Sequence, residues 1–286
     1  MNPQLLASLA LNTAGAVLVL ALVALGLGII FGLMGVLNLA HGAFFTVGAY
    51  TVWFVATYLG LGFWAGLVVA PFVAGGVGVL AEQLVVRHLY DRLFDTLLAT
   101  WGISIVITEL VKVAFGQTTK RVANPIPGGI ALGITTYPTY RIFLLAFSLA
   151  TLLAVFAVFY RTNLGVRLRA VIKNEEAASL LGINQRRMYQ LTFGVGTGVA
   201  GLAGAAVAPI ALLSPNMGLS YLIQSFLAVI LGGTGTLVGV VPGSLVVGGI
   251  TNPMTYFVQP VVAQIAVFVL AIVLVVLRPQ GLLGGQ

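Results

Sequence analysis

The first 81 residues of the chain contain no Asp, Glu, Lys or Arg, which restricts the environments in which it can fold. The bias continues throughout, since 60% of the 286 residues are hydrophobic and only 7% are charged. A soluble domain could not bury that much apolar surface. A membrane-spanning helix needs about 20 mostly apolar residues, so this length allows roughly eight to ten of them. We therefore predict an all-α polytopic membrane protein with a single transmembrane domain over residues 1–286.

Apolar runs predict nine transmembrane helices, some of them short or broken. They lie near residues 14–36, 43–60, 63–85, 97–115, 142–160, 190–212, 222–240, 244–258 and 261–277. Gly and Pro interrupt the seventh and eighth, which indicates irregular backbone that must be covered by protein or line a cavity. Between the fourth and fifth, residues 117–140 are rich in Pro and Gly and predict turns with a short strand pair.

Basic residues indicate the orientation, because Lys and Arg accumulate in cytoplasmic loops. Nine of the 13 lysines and arginines lie in three segments that the predicted helices place on one side of the membrane. The other four lie at or near the opposite side. The larger group is Arg87, Arg92, Arg161, Arg167, Arg169, Lys173, Arg186, Arg187 and Arg278, and the smaller group is Lys112, Lys120, Arg121 and Arg141. We expect the larger group to face the cytoplasm, with the N-terminus outside and the C-terminus inside. This distribution also explains the net charge of +7 without a nucleic-acid partner.

The residue types that several classes of chemistry require are absent. There is no Cys, and two His residues are too few for a metal-binding cluster. A phosphate-binding P-loop needs Gly-Lys-Ser/Thr, but the three lysines follow Val111, Thr119 and Ile172. We therefore expect no cofactor, no metal and no catalytic residue, and we expect any ATP hydrolysis to occur in another subunit.

A short charged segment, residues 173–184 with the sequence KNEEAASLLGIN, interrupts the apolar sequence. Asn174 is a favourable N-cap, two glutamates follow at the positive end of the helix dipole, and Gly182 suits the position after a helix end. These signals predict a helix of about two turns over residues 175–181.

Ala177, Leu180 and Leu181 share one face of this predicted helix, and Ile183 is placed to fold back onto that face. Two interpretations are open from these residues alone. The helix either lies on the membrane surface with its apolar face buried, or it inserts into a groove of a cytoplasmic partner.

The sequence EAASLLG, residues 176–182, resembles the EAA-x3-G motif in the permeases of ATP-binding cassette (ABC) importers. Further blocks at residues 28–50, 162–184, 230–249 and 278–284 resemble, in the same order, the high-affinity branched-chain amino acid permeases of the LivH/LivM type. One departure is that the broader importer pattern continues towards Ile-x-Leu-Pro, whereas this chain has QLTF. The departure places the chain in the branched-chain and sugar permease branch.

The resemblance implies a non-catalytic, multi-pass membrane subunit of an ATP-driven importer in a bacterial or archaeal plasma (inner) membrane. Its partners would be a companion permease, homologous or identical, two ATP-binding cassette subunits and an external solute-binding protein. The cytoplasmic segment 161–190 would couple ATP hydrolysis to transport. The residues assigned to this coupling are Glu175, Glu176, Ala177, Ala178 and Gly182.

Polar residues in charge-free segments are candidates for the translocation path. The sequence NLAHG at residues 38–42 either caps helix ends and fixes a chain reversal, or contributes side chains to the path. A faint similarity between residues 37–50 and 213–226 fits a fold of two related halves, in which broken helices tend to hold the substrate. The residues predicted to line the path are Asn38, His41, Asn216, Thr234 and Thr236.

The favoured substrate is leucine, isoleucine, valine or a related amino acid, and urea or a short-chain amide is the alternative within the same importer class. A secondary transporter would need a membrane-buried carboxylate. The deepest candidate, Glu109, is instead predicted to pair with Lys112 near the membrane boundary. A secondary transporter or a passive channel would also leave the charged helix unexplained.

Overall fold

The long apolar runs form helices, because a helix satisfies its backbone hydrogen bonds internally and lipid offers no other partners. The computed structural model describes residues 3–90, 92–131, 133, 136–233, 236–278 and 280–283. The α-helices in these ranges are α1 (Pro3–Met34), α2 (His41–Thr57), α3 (Gly62–Leu84), α4 (Leu93–Phe115), α5 (Thr139–Arg161), α6 (Asn163–Lys173), α7 (Glu175–Leu180), α8 (Gln185–Val207), α9 (Gly218–Gly232), α10 (Val240–Met254) and α11 (Pro260–Leu277). The strands β1 (Gly129–Ala131) and β2 (Thr136–Pro138) form an antiparallel hairpin, which confirms the predicted strand pair.

Six of the described helices are long and apolar enough to cross a membrane, namely α1, α3, α4, α5, α8 and α11. They support the predicted all-α polytopic class but do not confirm the count of nine. Helices α9 and α10 have 15 residues each and α2 has 17. At 1.5 Å per residue these helices are about 22–26 Å long, which is shorter than a hydrocarbon core of about 30 Å.

The two ends of the helix bundle are marked by different structures. Helix α5 runs from the β-hairpin to α6, so we call its two ends the hairpin end and the α7 end. Helix α1 begins at the hairpin end, where Tyr137 donates a hydrogen bond to Asn12 Oδ1 at 2.9 Å. Helix α8 finishes there, where Tyr140 donates to the Ala206 carbonyl oxygen at 2.6 Å. Helices α1 and α8 therefore run in opposite directions through the bundle.

Helix α2 begins in the middle of the bundle. The Nε2 atom of His41, its first residue, donates to the Val23 carbonyl oxygen of α1 at 2.9 Å. Val23 precedes the end of α1 at Met34 by about 16 Å of helix. Helix α9 begins at the same level, because the first residues of α2 and α9 are in close contact. A Cβ atom on Gly42 would overlap the Gly218 carbonyl oxygen, and a Cβ atom on Gly218 would overlap the Gly42 carbonyl oxygen. The chain therefore re-enters the bundle before α2 and again before α9.

The packing supports the predicted relation between two halves. Helix α8 packs against α2 and α3, and α1 packs in the corresponding way against α9 and α10. The contact between α2 and α9 is itself reciprocal. Gly42 meets Leu222, which lies four residues after Gly218, and Gly218 meets Thr46, which lies four residues after Gly42. Because α1 and α8 run in opposite directions, the two halves have inverted topology, as in many transporters.

Candidate functional site

The predicted coupling helix is present as α7, one residue shorter than expected. Asn174 caps it, since its Oδ1 atom accepts a hydrogen bond from the Ala177 amide at 2.9 Å. Gly182 has a φ angle of 77°, the left-handed conformation that commonly ends helices. Its amide donates to the Ser179 carbonyl oxygen at 2.9 Å. The capping signals in the sequence therefore have the structural roles predicted for them.

The apolar face of α7 points away from the rest of the protein. Leu180 and Leu181 are 88% and 78% exposed, and Ala177 on the same face is also exposed. Ala178, which borders this face, is buried in the core cluster. The prediction that Ile183 folds onto the leucine face is wrong, because the turn at the helix end directs Ile183 to the core, where its amide donates to the Ala178 carbonyl oxygen. The leucine pair is thus left for a partner or for lipid to cover.

The two adjacent glutamates of α7 have different surroundings. The Glu175 carboxylate accepts a hydrogen bond from the Tyr189 hydroxyl of α8, which holds the start of α7 against the bundle. Glu176 is exposed, and its carboxylate forms no ion pair or hydrogen bond with any residue that the structure describes. Glu175 therefore positions the helix, whereas the Glu176 carboxylate is available to another molecule.

Helix α6 attaches α7 to the membrane-embedded bundle. Its Leu168 and Val171 are buried against the core. The Arg169 guanidinium lies over the ring of Phe159 in α5, 5.4 Å from its centroid, and donates to the Phe159 carbonyl oxygen. Helix α7 is therefore connected to the end of α5 through α6.

A buried carboxylate near α7 was not predicted. Glu82, at the end of α3, is fully buried, and its Oε1 atom accepts a hydrogen bond from the Tyr90 hydroxyl. Burial, together with the hydrogen bond and the charge of Glu82, raises the pKa of Tyr90, so the hydroxyl stays protonated and remains a donor. The Tyr90 ring in turn contacts the Tyr189 ring, with their centroids 4.9 Å apart. These contacts form a continuous series from the buried end of α3 through Tyr189 to Glu175 in α7.

We expect Tyr90→Phe to lower the free energy of unfolding by about 1–3 kcal/mol, because it removes a hydrogen bond from a buried carboxylate. The other oxygen of Glu82 has no partner among the described residues, so no second hydrogen bond to them compensates for the one that is lost. Thermal unfolding in detergent measures the change. Tyr58→Phe is the matched control, since Tyr58 is 66% exposed. Equal stability of the two variants would show that the Glu82 carboxylate does not depend on Tyr90.

Asn38 and His41 lie where the chain re-enters the bundle before α2, and both are fully buried. Asn38 Oδ1 accepts a hydrogen bond from the Ala40 amide at 3.0 Å, and His41 is bonded to α1 as described above. These contacts fix the reversal, which was one of the two predicted interpretations. The Asn38 Nδ2 and His41 Nδ1 atoms have no partner within the described part of the chain. Their participation in the translocation path stays a prediction.

A cavity of about 200 Å³, which we call the central cavity, lies between α2, α4 and the start of α9. Asn216 lines it, beside Thr46, whose hydroxyl accepts a hydrogen bond from the Gly218 amide at 3.1 Å. On the α4 side Lys112 Nζ donates to Glu109 Oε1 at 2.6 Å, which confirms the predicted ion pair. The starts of α2 and α9 both border the cavity, and helix N-termini carry partial positive charge. The cavity therefore combines an acid, a base and two helix N-termini.

The remaining predicted path residues follow α9. Thr234 lies outside the described residues. The Thr236 hydroxyl is buried without a partner among them and does not line the central cavity. Asn216 is thus the predicted path residue that the structure places at this cavity, while Thr46, Glu109 and Lys112 were not predicted as path residues. Their convergence depends on the meeting of α2 and α9, which no local sequence signal encodes.

Comparison with known proteins agrees with this architecture. Residues 9–277 match the family described as branched-chain amino acid transport system / permease component. The high-affinity branched-chain amino acid transport system permease protein BraD of Pseudomonas aeruginosa is 27% identical over 92% of this chain and 91% of its own length. The corresponding protein LivH of Escherichia coli (strain K12) gives the same three values. LivM of that strain is 26% identical over 95% of this chain and 69% of its own length.

No solved structure matches the chain. The family match nevertheless begins inside α1 and continues to the last residue of α11, so it contains α7, both re-entrant segments and the central cavity. The chain belongs to the family of branched-chain amino acid transport system permease components.

Proposed function

We propose that the chain is the transmembrane permease subunit of an ABC importer that receives branched-chain or related amino acids from an external solute-binding protein. Two ATP-binding cassette subunits would hydrolyse ATP, and this chain would be non-catalytic. A companion permease, homologous or identical, would complete the translocation path. In the plasma (inner) membrane of a bacterium or archaeon, the hairpin end and N-terminus would lie outside, and the α7 end and C-terminus would lie in the cytoplasm.

The observation that carries this proposal is the exposed surface of α7, formed by Ala177, Glu176, Leu180 and Leu181. The helix packs through Ala178 against its neighbours α6 and α8, so its apolar face projects away from the bundle. An exposed apolar pair beside an unpaired carboxylate fits insertion into a groove with basic or polar edges. This geometry favours the interpretation of α7 as the contact with an ATPase subunit over that of a helix lying on the membrane.

We place the translocation path at the central cavity and along the exposed side of α4. Trp101 and Ile105 of α4 are more than half exposed and line this cavity, so a companion permease could cover it from that side. Inverted half-helices whose N-termini meet within the membrane suit the carboxylate of a substrate. The Glu109 and Lys112 pair supplies an acceptor and a donor for a zwitterion. Asn38 and His41 would then support the start of α2 from behind.

The substrate class is proposed from the relatives, whose names give branched-chain amino acids as their cargo. Uptake of radiolabelled leucine into proteoliposomes tests it, with the permease pair and ATPase subunits reconstituted together and the binding protein added outside. We expect uptake only when ATP and the binding protein are both present, and we expect unlabelled leucine to compete. Competition by urea instead would support the alternative substrate class. Uptake by this chain alone, without ATP, would contradict the importer assignment.

A further inference from the structure

A second cavity, of about 590 Å³, lies near the hairpin end between α1, α5, α9 and α10. We call it the hairpin-end cavity. It shares no lining residue with the central cavity, and it is formed within a single chain. Its volume is in the range of about 300–1,000 Å³ that is usual for small-molecule sites. The translocation path proposed above makes no use of it.

Arg141 is the charged residue that lines this cavity, and it is not neutralised by an acid. The two ion pairs among the described residues join Arg92 to Asp95 and Lys112 to Glu109. Instead, the Arg141 guanidinium donates a hydrogen bond to the Asn12 side-chain oxygen of α1. The guanidinium also interacts with the Tyr137 hydroxyl, so both of its partners are neutral. A guanidinium with neutral partners that faces a cavity can form a stronger, charge-assisted bond with a carboxylate.

A second donor converges on the same amide oxygen. The Tyr137 hydroxyl also donates to Asn12 Oδ1, at 2.9 Å, while Asn12 Nδ2 donates to the Tyr256 hydroxyl at 3.1 Å. Burial raises the pKa of Tyr137, an effect that Arg141 partly offsets, so Tyr137 is a neutral donor at physiological pH. Arg141 and Tyr137 thus form a pair of donors arranged for one anionic oxygen acceptor.

Apolar side chains continue from this polar group into the cavity. Ala16, Val19 and Leu20 lie on the same face of α1 as Asn12, because they follow it by four, seven and eight residues. Leu144 follows Arg141 by one turn of α5 and also lines the cavity. From Asn12 to Leu20 the α1 wall is about 12 Å long. The cavity therefore has an anion-binding end and an aliphatic wall at the scale of a small amphiphile.

We propose that the hairpin-end cavity binds the amino-acid substrate within one permease subunit, separately from the path between subunits. This proposal rests on the proposed function for the identity of the substrate. The carboxylate would bind Arg141 and Tyr137, and the branched side chain would lie against Val19 and Leu20. The amide oxygens of Gln224 and Asn252, which also line the cavity, are neutral acceptors for the ammonium group. Nine of the sixteen lining residues carry polar side chains, which suits a short zwitterion better than the acyl chain of a lipid.

Equilibrium binding of radiolabelled leucine to the assembled transporter, in phosphatidylcholine nanodiscs without the binding protein, tests this site. We expect competition by 4-methylpentanoate, which keeps the carboxylate, and little competition by 3-methylbutylamine, which lacks it. Arg141→Gln should weaken leucine binding by about tenfold or more, because it removes a charge-assisted contact. Gly15→Leu should do the same by filling the cavity, since a Cβ atom there would meet only Leu145, at an ordinary 3.9 Å.

Arg121→Gln is the matched control, because Arg121 is also among the smaller group of basic residues but does not line this cavity. It should bind leucine as the wild type does. Unchanged binding in both Arg141→Gln and Gly15→Leu would overturn the proposal. The proposal would also be overturned if mass spectrometry detected a lipid anion that the wild type retains, that the two variants do not retain, and that leucine does not displace. ATP-dependent uptake is measured in parallel, so that failure of this site can be distinguished from failure of the importer assignment.

Discussion

Replacing Glu176 by Lys should strongly reduce transport-coupled ATP hydrolysis while leaving the permease folded in the membrane. The Glu176 carboxylate has no partner among the residues that the structure describes, so its replacement breaks no hydrogen bond or ion pair with them. A lysine at this position would present the wrong charge to a groove that accepts an acid and would repel basic residues at its edge. Gly182→Arg should have the same effect by another route, because a non-glycine residue at a φ of 77° is strained by about 1–2 kcal/mol and displaces the end of α7.

The ATPase activity of the complete transporter, with and without loaded binding protein, measures this effect. We expect the stimulated activity of Glu176→Lys to fall by roughly tenfold or more. Asp95→Lys is the matched control, since Asp95 is an exposed acid near the same end of the bundle and already pairs with Arg92 at 3.5 Å. It should retain most of the stimulated activity. Unchanged stimulated activity in Glu176→Lys would exclude α7 as the coupling helix.

The structure explains why the capping of α7 was predictable and the burial of Ala178 was not. The capping contacts of Asn174 and Gly182 are local, so the residue types alone specify them. The periodicity of Ala177, Leu180 and Leu181 correctly grouped them on one face. Which face is buried depends instead on where α6 and α8 contact α7, and those contacts favour Ala178.

The nine predicted spans show a different limit of sequence reasoning. Hydropathy identifies apolar segments but does not give their direction or depth, so α2 and α9 were counted as complete spans. In the structure both begin in the middle of the bundle, because the preceding segments fold back into it. The re-entrant residues are themselves uncharged, so no charge marked the change of direction.

The central cavity was only partly predictable for the same reason. Asn216 was identified because it precedes an apolar segment in a possible repeat, and the structure places it at the cavity. Glu109 and Lys112 were recognised as a local pair, since helix periodicity is sufficient for that. Their approach to Asn216 depends on the packing of both α4 and α9 against α2, which brings together residues more than 100 positions apart in sequence. The buried Glu82 was missed because its hydrogen-bond partner lies beyond the end of its own helix.

A large loss of stability is expected from a side chain at the contact between α2 and α9. A Cβ atom on Gly42 would overlap backbone atoms of Gly218, and Leu222 would lie within 3.1 Å of it. Neither helix can move away freely, because the Gly218 amide is bonded to Thr46 and His41 is bonded to α1. Overpacking in a core typically costs about 1–3 kcal/mol, and we expect Gly42→Val to cost about 3 kcal/mol or more, since the overlap is with backbone. Gly218→Val should behave in the same way.

Fluorescence-detected size exclusion and the thermal midpoint in detergent measure both variants. Gly76→Val is the matched control, because Gly76 lies in α3, where no atom is within 4 Å of an added Cβ. Valine is a slightly better helix former than glycine, so this control should equal or exceed the stability of the wild type. If Gly42→Val and Gly76→Val were equally stable, the starts of α2 and α9 could not be in contact. The central cavity would then lose the two helix N-termini that make it suitable for a substrate carboxylate, and the translocation path would have to be sought elsewhere in the bundle.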